Sequence, residues 1–284
     1  MNFLLHTMQS LDQSIYHFLN GLAGNWLVDR LVVEQESNRL LKGAVFVAIY
    51  WYFWFRPGSD QEKRRKRIIA IMVGILLAIP ATRLIALTVP FRIRPIDDPT
   101  LVHYLSVESS GWEQWSGFPS ETATYICALA FGIAYLSRRL TIPVILYVAV
   151  WICLPRLYLG IHYASDIVVG AAVAVTAVWA ALRIEWLRTT LASRLLALME
   201  ASPQVFYPAA FLVSYEMASV FSEIRSPMHV VLSAARQGYL HEVGKALVVL
   251  ATLGAVAMAI VVVFLYRKHW HRSPPAARQM KAGT

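Results

Sequence analysis

Arg156, His162 and Asp166 stand in the run PRLYLGIHYASD, between two apolar stretches. Each can do chemistry on an anion. His162 and Asp166 are four apart, which puts them on one face of any helix that holds both. A carboxylate can then accept from one imidazole nitrogen and leave the other free and nucleophilic. Arg156 offers a planar fork of donors that fits a phosphate. The bland reading is a helix start, with His162 and Asp166 capping it in water. A charge at the mouth of a membrane span is nevertheless costly unless paired or used; at the bilayer centre the penalty is roughly 2.5–3.5 kcal/mol on insertion scales. A metal site would need a third ligand at good spacing, and the sequence offers none, so neither metal nor cofactor is expected.

Two further segments carry polar chemistry. Arg92 and Arg94 alternate in FRIRP, where they can reach an anion or anchor to lipid phosphates. FPSET has the form of a helix start, with Ser120 as the cap and Glu121 behind it. The free N–H groups of such a start attract anions.

The elements that must position these residues are membrane helices. Of 284 residues 57% are hydrophobic and only 15% charged, against roughly 25% charged in a soluble domain. Mean hydropathy is +0.51. The chain has room for six or seven spans of roughly 20 residues, so the expected fold is an all-α polytopic membrane bundle. Spans are expected near residues 40–55, 68–89, 118–137, 142–153, 167–182, 203–222 and 246–266. Before them, Leu11, Ile15, Phe18, Leu19 and Leu22 recur at helical spacing among Asp12, Gln13, His17 and Asn20, which suits an amphipathic helix lying at the membrane interface. The expected organisation is an interfacial segment over 1–37, a core over 38–189, and further spans with a basic tail over 190–284. The aromatics Tyr104, Trp112 and Trp115 in the long connection suit headgroup depth, and Glu216 in the sixth span suits burial against the bundle.

The net charge of +9 falls in short clusters beside apolar runs, a pattern of membrane topology and not of nucleic-acid binding. The clusters at 63–67, 138–139, 183–194 and 267–281 are expected on the cytoplasmic side. FRIRP, FPSET and PRLYLGIHYASD then share the outer side, which is periplasmic in a bacterial inner membrane. Cys127 and Cys153 lie in apolar segments and supply neither a disulfide framework nor metal spacing.

Taken together, the three segments resemble the type-2 phosphatidic acid phosphatase family, membrane lipid phosphatases related to vanadium haloperoxidases. That family carries K-x6-RP, then PSGH, then SR-x5-H-x3-D. The third motif is matched by Arg156, His162 and Asp166, with Pro155 in place of its Ser, and the resemblance spans roughly residues 40–185. It implies a helical core with phosphate held by Arg92, Arg94, Ser120 and Arg156. It also implies His162 as the nucleophile of a phosphohistidine, oriented by Asp166, with no metal. Two departures stand out. The positions seven residues before Arg92 and Arg94 are Ile85 and Leu87, so Arg83 is the candidate substitute for the motif lysine. Thr122 stands where the family has its general-acid histidine, and a hydroxyl cannot donate a proton as imidazolium does. Glu121 is the candidate replacement acid. The expected partner is a membrane lipid phosphate, foremost a polyprenyl diphosphate of the undecaprenyl kind, hydrolysed at the outer leaflet. The alternatives are a lipid-linked phosphotransferase and a silent protein that binds or moves a phospholipid.

Overall fold

The computed structural model of the chain describes residues 2–102 and 116–221. Among them are helices and connections and no strand. The expected last span at 246–266 and the aromatics Tyr104, Trp112 and Trp115 lie outside the described residues.

The N-terminal region is two helices, α1 (Asn2–Asn20) and α2 (Trp26–Ser37), the second capped by the Asn25 side chain. An apolar helix α3 follows over Leu40–Phe55, its first turn wound as a π-helix. Next come α4 (Gln61–Thr88), α5 (Glu121–Leu136), α6 (Arg138–Tyr158) and α7 (Ala164–Arg183). A π turn at Leu187–Leu191 leads into α8 (Ala192–Ala201), and α9 (Pro203–Ala218) closes the described chain.

Among the described residues, α4, α6 and α7 are long and apolar enough to cross a membrane, while α3 and α5 are apolar but shorter. With the composition, this makes the chain a membrane protein.

The centre of the bundle is α4, α5 and α7, and small residues set how closely they meet. A Cβ on Gly74 of α4 would stand 2.7 Å from the Val178 backbone of α7. One on Gly170 would stand 2.8 Å from the Ser120 carbonyl. Without side chains at these crossings the backbones approach directly, the packing mode of helices that gain little from hydrophobic burial in lipid. Ile71, Ile75, Ile126, Leu129, Ile133, Ile152 and Val178 fill the space between.

Several boundaries differ from the sequence expectation. The basic run 63–67 forms the first turns of α4 instead of a loop, because Arg64 turns back to bond the Phe53 carbonyl at 2.8 Å and Asp60 at 2.7 Å. The fourth span continues past Pro155 to Tyr158, so Arg156 lies inside a helix. A π-helical stretch at Val148–Cys153 precedes that proline, which lacks a donor for the regular ladder. Part of the expected cytoplasmic loop at 183–194 is helical.

In α1 the polar face is the one turned inward. Asp12, Tyr16 and Asn20 are buried, while Leu11 and Phe18 are exposed. Buried polar groups need partners, and these have them: Tyr16 bonds the Val102 carbonyl and Asn20 the Tyr158 carbonyl, each at 3.2 Å.

Candidate active site

The first residue to place is Asp166, because three segments meet on it. It sits in the first turn of α7, fully buried. Oδ2 accepts from Tyr163 N at 2.8 Å, closing a reciprocal cap at the helix start. Oδ1 accepts from Arg92 Nη1 at 2.7 Å, and its own carbonyl accepts from Ser120 N at 3.1 Å. One residue thus ties the FRIRP segment and the FPSET helix start to the His162 loop.

Arg92 is committed to this scaffold. Its other nitrogen meets Asp12 Oδ2 at 2.5 Å, Nη1 also bonds Ser165 Oγ at 2.6 Å, and the guanidinium lies 4.3 Å from the Tyr163 ring centroid. Asp12 also accepts from Ser165 N at 2.9 Å. Arg92, expected as a phosphate ligand, thus has both terminal nitrogens engaged by Asp12, Asp166 and Ser165.

Arg94 goes the other way. Its Nη1 lies 3.4 Å from His162 Nε2 and 3.3 Å from the Ile161 carbonyl. Burial, then the nearby Arg156, push its pKa down to about 10, which leaves it cationic at neutral pH. Two cations brought together in this way favour an anion between them.

His162 is buried in the loop before α7, not on the helix. The expectation of a shared helical face with Asp166 is corrected accordingly. Its Nδ1 lies 2.9 Å from the Gly117 carbonyl and 3.6 Å from Asp166 Oδ2. A carbonyl only accepts, so Nδ1 carries the proton and donates. Nε2 then carries the lone pair, which accepts from Arg94 Nη1. Gly117 orients the ring, while Asp166 supplies negative charge at longer range. A Cβ on Gly117 would stand 3.1 Å from Arg94 Cγ, so a glycine lets both approach.

Ser120 caps α5, accepting from Ala123 N at 3.3 Å, and is fully buried. Its side chain therefore serves the helix start that was expected to bind phosphate. Thr122 is buried in the first turn of α5. Glu121 accepts from Arg83 Nη1 at 2.9 Å. Arg83 therefore faces a carboxylate at the start of α5. Arg156 bonds Glu36 Oε1 of α2 at 2.9 Å, and Lys42 bonds the same oxygen at 2.6 Å. Among the described residues, no group of three or more His, Cys, Asp or Glu side chains is placed to hold a metal ion.

Sequence reasoning missed Gly117, Ser165, Glu36 and Lys42, and read Asp12 only as part of a polar face. Lys42 carried a signal, since a cation just inside an apolar span requires a partner. Asp12 carried a weaker one, and Gly117 none.

Among the described residues, the site sets Arg94 beside the buried His162 in an all-helical membrane bundle. Residues 68–190, from α4 to just beyond α7, match the family model of the PAP2 superfamily. The match bears out the resemblance read from the sequence and, with it, a phosphatase, a hydrolase of phosphate esters. The crystal structure of LpxE from Aquifex aeolicus is similar at 22% identity and a TM-score of 0.41, covering 60% of this chain and 93% of that one. A likeness of that size says nothing about substrate. No protein of curated function matches the chain significantly.

Proposed function

We propose that this protein hydrolyses a lipid phosphate at the outer leaflet, foremost a polyprenyl diphosphate, through a phosphohistidine at His162. The observation that carries the reading is the His162 ring: Nδ1–H is spent on Gly117, which leaves the Nε2 lone pair toward Arg94.

In the first step Nε2 attacks phosphorus, forming the N–P bond as the P–O bond to the leaving group breaks. The leaving oxygen takes the electron pair. Arg94 and Arg156 neutralise the equatorial oxygens of the loose transition state, whose charge they stabilise without a chemical role. The imidazole becomes cationic, and the Asp166 carboxylate at 3.6 Å offsets that charge. Water then cleaves the N–P bond, releasing phosphate and restoring the neutral ring.

Thr122 decides the substrate. An alkoxide leaving from a monoester resembles hydroxide, whose parent water has a pKa of about 15.7, and it needs a proton. General-acid help is typically worth roughly 10²–10⁴-fold. Phosphate leaving from a diphosphate has a second pKa of about 6 and can depart unprotonated. Glu121, the candidate replacement acid, is engaged with Arg83. This supports a diphosphate over a monoester.

The test is purified protein with a panel of lipid mono- and diphosphates, with and without acceptor lipids, measuring released phosphate. Faster release from a polyprenyl diphosphate than from phosphatidic acid is expected. Release only when an acceptor is present would make it a transferase. No turnover of any lipid would leave the silent reading.

A further inference from the structure

Glu36 and Lys42 belong to none of the three sequence motifs, yet Glu36 joins Lys42 to Arg156. Glu36 is near the end of α2, and Lys42 is in the π-helical first turn of α3. Oε1 of Glu36 accepts from Lys42 Nζ at 2.6 Å and from Arg156 Nη1 at 2.9 Å. All three side chains are largely enclosed, with 14%, 11% and 8% of their surface exposed for Glu36, Lys42 and Arg156. Two buried cations converge on a single oxygen.

The arrangement is incomplete as a structural ion pair. Glu36 Oε2 and Arg156 Nε are both buried and have no hydrogen-bond partner. A buried charged group left partly unsatisfied is costly, and a bridge built for stability alone satisfies both oxygens. A phosphoryl group would use the donors better. It carries three acceptor oxygens and up to twice the charge of a carboxylate. Arg156 is moreover close enough to Arg94 to depress that residue's pKa, and Arg94 faces His162 Nε2. The oxygen position held by Glu36 is therefore linked through Arg156 to the arginine that faces the nucleophile.

We infer that Lys42 is a phosphate-binding residue paired with Arg156, and that Glu36 is an internal stand-in for the phosphate, holding the two cations together until the substrate displaces it. Lys42 supplies from α3 the ammonium for which residues 85 and 87 offer only Ile and Leu. The inference rests on the reading that phosphate binds beside Arg156, but not on turnover. Glu36 acts as a competitor, so removing its charge strengthens phosphate binding while removing Lys42 weakens it. A Glu36 that merely organised the site would do the reverse.

The experiment is equilibrium binding to the full chain in detergent. One arm uses inorganic phosphate and the other a short-chain isoprenyl diphosphate. Glu36→Gln is expected to bind both about tenfold tighter, and Lys42→Gln about tenfold weaker, the scale of one hydrogen bond to a charged group. Glu36→Asp, which keeps the charge but retracts it, is the second variant in case Gln unfolds the protein, and it too should bind tighter. Phosphate-induced rise in melting temperature should follow the same order. Tightening in the diphosphate arm alone supports the inference with a lipid-borne phosphate as the ligand. Unchanged or weaker binding by folded Glu36 variants overturns it, as does binding indifferent to Lys42→Gln. Absence of binding by both the wild type and the Glu36 variants also overturns it. Phosphate binding that responds as expected without hydrolysis of any lipid would instead count against the proposed activity alone.

Discussion

The division of labour between the two arginines of FRIRP follows from what each meets. Arg92 finds Asp12 and Asp166 and becomes part of the frame, whereas Arg94 finds His162, the proposed nucleophile. Replacing them should separate two failures. Arg94→Gln is expected to lower turnover of a lipid diphosphate by roughly 10²-fold or more, as for other transition-state charge donors, with little change in thermal stability. Arg92→Gln leaves buried Asp166 short of its cation and should lower stability by on the order of 3 kcal/mol. Turnover and melting curves on the same preparations check both. His162→Ala should abolish turnover in a folded protein, and substantial residual activity would rule out the phosphohistidine. Thr122→His should raise monoester turnover, by up to about 10²-fold, and diphosphate turnover much less. Equal gains on both substrates would refute the leaving-group argument.

At the scale of elements, helix ends do the positioning. The starts of α5 and α7 meet through the Ser120 N–H and the Asp166 carbonyl. Gly170 makes that meeting possible, since even an alanine Cβ would sit 2.8 Å from the Ser120 carbonyl. Gly170→Ala should therefore cost about 1–3 kcal/mol and reduce activity with it, measured as apparent Tm and turnover. A neutral effect would mean that the two helices can separate without disturbing the site. Helix α1 is held differently, by a buried carboxylate. Asp12→Ala removes the acceptor of Ser165 and of one Arg92 nitrogen. The α1 segment should then become open to limited proteolysis while α4, α5 and α7 stay protected. An unchanged cleavage pattern would show that Tyr16 and Asn20 suffice to hold it.

For the whole molecule, the pattern of basic clusters makes a prediction about sidedness. The site end carries Thr100 on an exposed connection, and the opposite end carries exposed Ser59 before the basic turns of α4. In a background lacking Cys127 and Cys153, a cysteine at position 100 should react with an impermeant thiol reagent in intact cells. One at position 59 should react only after permeabilisation. The reverse pattern would place the site in the cytoplasm and remove the outer-leaflet substrate.

Much of this was legible in the sequence because it depends on local or compositional physics. Apolar length requires helices that satisfy their own backbone in lipid, and α4, α6 and α7 follow from it. The order and intervals of Arg94–Pro95, Pro119–Ser120 and Arg156–His162–Asp166 carried the family resemblance before any packing was known. Tertiary structure alone decided which side chain meets which. Asp12 and Arg92 are eighty positions apart, and Arg156 and Glu36 one hundred and twenty. No periodicity encodes such pairs. A charge entering the bundle must find an opposite charge there, but several are within the chain's reach, and helix packing selects one. The same holds for His162: spacing nominated Asp166 as its partner, while the fold delivered the Gly117 carbonyl, a backbone group that carries no mark in the sequence.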